Sequence, residues 1–427
     1  MNRFYKKLKL FAFLYYIILI GSCKPKETVT PNNTTLNQYV NIPDINFEKS
    51  LISLSIDDVQ DGKVLLENVL KVTSINLRSK GENDKIKNLS GIEAFTNLIE
   101  LDCSLNQLNN LEIEKINKIK FLDCSENLLT SLDLSKNIYL NYLYCGKNLL
   151  SSLKLNSELK EISCGVNKLI NLDISKNVNL TSLYCGENQL SDLELISNVQ
   201  LKYHDFKSNQ VTKINLQKNI NLRYLNAKKN IISSLDVSNN IFLTYLNCEY
   251  NLLTSLEINK NISLLDLYCA YNKLQILDVT KNIILSKLFC QYNTLALLDV
   301  KQNISLKELV CYKNPLKILN VKQNINLRIL GCDNIQITEL DISKNVQLTE
   351  LYSNNNLISN LDVTQNPLLI VLYCDYNLLN SLNLSKNAQL NNLGCISNKI
   401  DFICLKSLNQ VKSTWSKDLS TTYKVCP

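Results

Sequence analysis

Cysteine is the residue type with the most latent chemistry in this chain. Of fifteen cysteines, twelve fall on one recurring place: Cys103, Cys124, Cys145, Cys164, Cys185, Cys248, Cys269, Cys290, Cys311, Cys332, Cys374 and Cys395. Thiols in such numbers could ligate zinc or relay redox equivalents, but no C-x-x-C pair sets up a compact site. Phe206, Ala227 and Ser353 fill the equivalent place in the remaining units, and a packing column tolerates that exchange better than a metal or redox ladder does. The twelve are therefore read as small apolar side chains in a core. On in-register parallel strands their Cβ vectors run parallel, which disfavours the near-perpendicular torsion of a disulfide. The ladder is expected to be reduced and inaccessible.

Other catalytic signals are sparse. The sole histidine, His204, stands where an inward leucine is expected, and Asp205 beside it on a strand faces the other way. It reads as a core substitution. The run DDVQDG at 57–62 resembles the start of a calcium loop, but Val59 holds the third place and Asn68 the twelfth, where oxygen ligands and a bidentate glutamate are required. It reads as an acidic turn. There is no Gly-rich phosphate loop and no Ser/His/Asp set. The sequence points away from an enzyme, and no cofactor or metal is expected.

These residues are positioned by a repeat. The stretch LLDLYCAYNKLQILDVTKNII at 264–284 returns as LSKLFCQYNTLALLDVKQNIS and LKELVCYKNPLKILNVKQNIN. The unit is L-x-x-L-x-C-x-x-N-x-L-x-x-L-D-[LIV]-x-x-N-x-x, and one copy cannot bury its own apolar edge without a neighbour. Units begin at Leu98, Ile119, Leu140 and Leu159, then every 21 residues from Leu180 to Leu369, with a partial unit at Leu390. Only the unit at Leu140 is shorter, with 19 residues. Each half carries an L-x-L core alternating in and out, the period of a strand. The expected fold is a β-rich solenoid of about 15 coils, with two short parallel strands per coil, little α-helix and a cap at each end. Asparagine fills the ninth place from Asn106 to Asn398 except at Ile335, and a second Asn column runs from Asn137 to Asn387. Amides that donate and accept at once are suited to satisfying backbone groups where each strand bends away.

Residues 98–405 resemble the leucine-rich repeats through L-x-x-L-x-[LC]-x-x-N-x-L. The second half, L-x-x-L-D-[LIV]-x-x-N, makes them most similar to the bacterial 21-residue subclass called IRREKO. That resemblance implies a solenoid presenting a strand face to partners, in the manner of bacterial surface adhesins.

The third, fifth, seventh and eighth places of the unit point outward from the first strand and its turn. They gather Phe121, Tyr142, Tyr144, Tyr184, Tyr203, Tyr224, Tyr245, Tyr250, Tyr268, Tyr271, Phe289, Tyr292, Tyr312, Tyr352, Tyr373 and Tyr376. Rigid amphipathic rings contribute contact area at low entropy cost, so this face is the candidate surface for a protein or glycan ligand. Rings stacked coil on coil also stabilise a sheet by themselves, which leaves a structural scaffold without a specific ligand as the alternative.

The ends set the address. Residues 1–22 combine Arg3, Lys6, Lys7 and Lys9 with an apolar run at 10–20, the pattern of a secretory signal peptide. LIGSC at 19–23 resembles a bacterial lipobox, which implies lipidation at Cys23 and a lipid-anchored protein of the cell envelope, at the outer membrane or cell surface. Loss of 1–22 takes the net charge from +7 to +3, since four positive charges and no negative ones leave. That balance is too weak and dispersed for nucleic acid. Residues 23–40 read as a flexible tether, 41–97 as an N-terminal cap, 98–403 as the solenoid and 404–427 as a C-terminal cap. Cys404 and Cys426 lie off the ladder with Trp415 between them, and are expected to form a disulfide that pins the last cap. A monomer is expected.

Overall fold

The structure is a computed structural model that describes residues 38–426. The expected signal peptide, Cys23 and most of the tether lie outside the described residues. Tyr39–Pro427 form one compact unit with a continuous apolar core. The tether's expected last residues, Tyr39 and Val40, belong to the strand Tyr39–Asn41, which pairs antiparallel with Lys63–Leu65.

Three residues of each unit, the third to the fifth, form a strand. In Asp266–Tyr268 the central Leu267 is buried and its neighbours are half-exposed, as alternation along a strand requires. Leu267 pairs in parallel with Leu288, and Leu288 with Leu309, each 21 residues on. At the short unit Tyr142 pairs with Glu161, so the two missing residues come out of the turns and the register survives. The sheet has seventeen strands. Two rungs beyond the expected fifteen come from the flanking segments, through Ser74–Asn76 at one end and Trp415–Ser416 at the other. Each strand bonds to its predecessor and successor, and no pairing joins the last to the first, so the sheet is open. Inside, Leu264, Leu267, Cys269, Leu274, Leu277 and Val279 show how one coil fills its share of the core.

The helix content is small. Ile45–Ser53 is the longest helix among the described residues, and the Asp44 carboxylate caps it by accepting from the Asn46 and Phe47 amides at 2.9 and 3.0 Å. The acidic turn at 57–62 is tied to that helix: the Glu48 carboxylate accepts from the amides of Asp61, at 2.8 Å, and Gly62.

In one detail the solenoid differs from expectation. The second half of the unit forms a bonded strand only at Ser131–Asp133, Ser152–Lys154, Leu382–Asn383, Phe402–Leu405 and Thr422–Val425. Elsewhere it is extended, but a side chain takes over the cross-coil bonding. Asn282 Nδ2 donates to the carbonyls of Ile258 and Asn261 in the preceding coil, at 3.1 and 2.9 Å, and the column repeats this from Asn198 to Asn387. Backbone pairing reappears around the shortened unit and beyond Asn387, where the column ends. Only the amide nitrogen is used: Asn282 Oδ1 is buried without a partner among the described residues.

The ninth-place column is fully used. Asn272 Nδ2 donates to the Cys248 and Cys269 carbonyls at 2.9 and 3.2 Å, and its Oδ1 accepts from the Leu253 amide at 3.0 Å. The residue just before it is left-handed in all fifteen units, from Leu105 (φ 59°) to Ser397 (φ 55°). That single residue turns the chain out of the strand so that the next amide can reach back.

Candidate functional site

The twelve ladder cysteines are buried and unbridged. Burial is the first cause raising their thiol pKa values, to about 12 for Cys164 and Cys290, so they are held as neutral thiols rather than thiolates. Cys404, within the strand Phe402–Leu405, is joined by a disulfide to Cys426, the residue that follows the paired strand Thr422–Val425.

His204 is buried, its ring stacked on Phe206 with centroids 4.8 Å apart. Its Nδ1 lies 3.2 Å from the Leu183 carbonyl, and Nε2 has no partner. Burial lowers its pKa from 6.5 to about 4, against the smaller opposing pull of the Leu183 carbonyl. Protonation therefore favours the unfolded chain. The native state is undisturbed above pH 6.5 and loses stability as the pH falls from there through the folded pKa. At pH 5 the penalty is about 2 kcal/mol. His204→Leu is expected to abolish that increment, so its urea midpoint should change less between pH 7.5 and pH 5 than the parent's. Parallel shifts in the two proteins would contradict a neutral buried imidazole.

The aromatic columns converge most strongly over five coils. Along the strands, Tyr224 stacks on Tyr245 at 4.4 Å, Tyr245 meets Tyr268 at 5.5 Å, and Tyr268 stacks on Phe289 at 4.9 Å. Beside them runs a second stripe in the turns. Tyr250 stacks on Tyr271 at 4.1 Å, Tyr271 on Tyr292 at 4.3 Å, and Tyr292 meets Tyr312 edge-on at 5.4 Å. The strand rings are half-buried, whereas Tyr250 and Tyr292 are exposed. Burial, then the Asp266 carboxylate, raises the Tyr268 hydroxyl well above an ordinary phenol, so it stays a neutral donor and acceptor.

Charges frame the stripes. Lys228 Nζ lies 2.6 Å from the buried Glu249 carboxylate and 5.4 Å above the Tyr250 ring, with Lys229 at 5.8 Å from the same ring. Lys287 pairs with Glu308 at 2.6 Å, next to Asp266, whose carboxyl is raised by burial despite the Lys287 charge.

Of the remaining candidates, Tyr203 pairs in register with Tyr224 at the edge of the patch, and Tyr184 lies on the strand before it. Tyr144 meets Phe121 at 5.5 Å and donates to Glu161 at 2.8 Å, while Tyr142 is exposed on the same rung. Tyr352 and Tyr373 form a separate pair at 5.7 Å, with Tyr376 exposed nearby in sequence. The patch is a surface rather than a cleft, and no cluster of His, Cys, Asp and Glu able to hold a metal ion is present among the described residues.

One feature of the stripes has no sequence signal. Tyr250, Tyr271, Tyr292 and Tyr376 sit on the left-handed backbone residue of their coils, each at φ 53–54°. That conformation costs an L-residue other than Gly, Asn or Asp about 1–2 kcal/mol.

An open parallel solenoid with a buried asparagine column and a thiol ladder has the fold of the leucine-rich-repeat proteins. The functional domain of InlJ from Listeria monocytogenes, which includes a cysteine ladder, superposes with a TM-score of 0.74 at 28% identity, over 89% of this chain and 81% of that one. A leucine-rich-repeat protein of Leptospira interrogans gives 0.70 at 25% identity, over 83% and 97%. The internalin InlF of L. monocytogenes shares the fold at 0.56 and 20% identity, over 85% and 95%. No protein-family model and no curated protein matches the chain.

Proposed function

We propose that this chain is a non-enzymatic, monomeric recognition protein of the bacterial envelope. Built from IRREKO-type repeats and held to the membrane by lipid at Cys23, it binds a protein partner across the aromatic patch at 224–312. The observation that carries this reading is the convergence of two ring stripes on neighbouring coils, Tyr224 through Phe289 along the strands and Tyr250 through Tyr312 in the turns, with Tyr250 and Tyr292 exposed. Rigid exposed rings supply contact area to a partner at low entropy cost.

A protein suits the patch better than a glycan. The rings of the turn stripe lie face to face at 4.1 and 4.3 Å, and Lys228 and Lys229 cover the outer side of Tyr250. What remains for solvent is edges and hydroxyls, whereas a sugar ring stacks on an open face. Exposed phenol edges and hydroxyls are typical of protein-recognition surfaces.

The test is the triple substitution Tyr250→Asn, Tyr271→Asn and Tyr292→Asn. Asparagine accepts the left-handed conformation, so stability is expected to stay within about 1 kcal/mol of the parent. Capture of ligands on protein and glycan arrays is expected to give protein hits that weaken at least about tenfold in the triple, or ~1.4 kcal/mol. Unchanged capture together with a large stability loss would establish the scaffold alternative instead.

A further inference from the structure

The twentieth place of the repeat, just after the buried Asn column, carries an exposed aliphatic residue. Ile220, Ile241, Ile262, Ile283, Ile304 and Ile325 occupy it in six successive coils, between 45% (Ile241) and 59% (Ile262) exposed. At about 4.8 Å per coil they form a ridge roughly 24 Å long. The ridge cannot retract into the core. Each isoleucine sits between a buried asparagine and a buried leucine whose backbones are bonded to one another, as in Leu285 N donating to Asn282 O at 3.0 Å.

Cations stand at three of the six places on each flank. Arg223, Lys307 and Arg328 stand at the second place of the unit, and Lys218, Lys260 and Lys281 at the eighteenth. All six are exposed, and none belongs to an ion pair among the described residues. Between residues 159 and 391, the seventeenth to twenty-first places and the second hold no Asp or Glu. Acidic side chains stand nearby at the third place, where Glu308 pairs with Lys287 at 2.6 Å and Asp266 shares a shallow depression with Lys307, and at the fifteenth, where Asp236, Asp278 and Asp299 accept from the amides of Ser238, Thr280 and Lys301 at 2.9–3.0 Å.

We propose that this edge of the solenoid lies on a bilayer surface rich in anionic lipid, with the isoleucines at the acyl boundary and the flanking cations at the phosphates. A row of aliphatic side chains flanked on both sides by exposed cations is the composition of an interfacial membrane surface. A second copy of this chain would bring the same cations against these, and like charges oppose such pairing. The proposal is independent of the aromatic patch, which occupies other places of the unit.

Residues 39–427, which hold a complete core, are tested by co-sedimentation with vesicles of phosphatidylcholine alone and of phosphatidylcholine with phosphatidylglycerol. Binding is expected to be at least about tenfold tighter to the anionic vesicles and to weaken with salt. Ile262→Ser, Ile283→Ser and Ile304→Ser together should reduce it about tenfold with an unchanged melting temperature, because these side chains are already more than half in water. Arg223→Gln, Lys307→Gln and Arg328→Gln should reduce it similarly without touching the ridge. No binding to anionic vesicles, equal binding to both vesicle types, or parent-like binding by both variants overturns the proposal. Self-association of the parent that the isoleucine variant abolishes also overturns it, because a second copy would then cover the ridge.

Discussion

Replacing Asn293 with leucine is expected to lower the unfolding free energy by about 3–5 kcal/mol. Asn293 is buried in the middle of the ninth-place column. Its Nδ2 donates to the Cys269 and Cys290 carbonyls, both at 3.0 Å, and its Oδ1 accepts from the Leu274 amide at 3.0 Å. The two carbonyls each retain a second donor, Asn272 at 3.2 Å to Cys269 and Asn314 at 3.0 Å to Cys290. Their loss is therefore one bond apiece, about 1 kcal/mol each, while the Leu274 amide is left bare inside the core at about 1–3 kcal/mol. The protein contains its own version of this substitution. Where Ile335 takes the ninth place, Lys317 and Gln336 adopt left-handed conformations of φ 60° and 63°, which no other unit shows at those places, and the Lys317 amide donates to the Ile335 carbonyl at 2.9 Å. The coil survives without its asparagine only by rebuilding its backbone, and Asn293→Leu lacks that adjustment. Urea denaturation measures the loss, with the exposed neighbour Thr294→Ala as the control. A midpoint matching the control would show that the column does not join the coils.

Cys404→Ser with Cys426→Ser is expected to cost about 3 kcal/mol, the chain-entropy value for a loop of this size. The loop carries the last rungs. Trp415–Ser416 completes the main sheet and Thr422–Val425 the second-half sheet, where Ile403 and Leu405 are buried beneath it. Release of the loop exposes the final coil, and a solenoid opens from an uncovered end because each unit is held only by its neighbours. A mild reductant reports on the same bond, since the twelve other thiols are buried and unbridged. The parent with reductant should therefore denature at the midpoint of the double variant without it. If neither treatment moves the midpoint, packing alone holds the cap.

These expectations differ in how far they were visible in the residue string. A repeat of fixed length gives every coil the same backbone, so one column of letters becomes one physical stripe. That is why the buried thiols, the inward His204 and the ninth-place asparagines could be read directly. It is also why the tyrosines could be placed on one face without coordinates. Column membership does not say which group makes a given cross-coil bond. In the second half of the unit an extended backbone beside Asn282 is compatible with a strand ladder or a side-chain ladder, and the expectation of two strands per coil took the first.

Sequence alone determined the parallel solenoid, its period, its core and the face on which the rings lie, because burying leucine and cysteine at fixed intervals has one packing solution for stacked coils. Tertiary structure decided the rest. The left-handed residue beneath Tyr250, Tyr271 and Tyr292, the joining of Tyr224 through Phe289 into one stripe, and the exposure of the isoleucines beside exposed cations depend on backbone torsions and on contacts between coils. Neighbouring coils are needed to set those distances, and no single unit contains them.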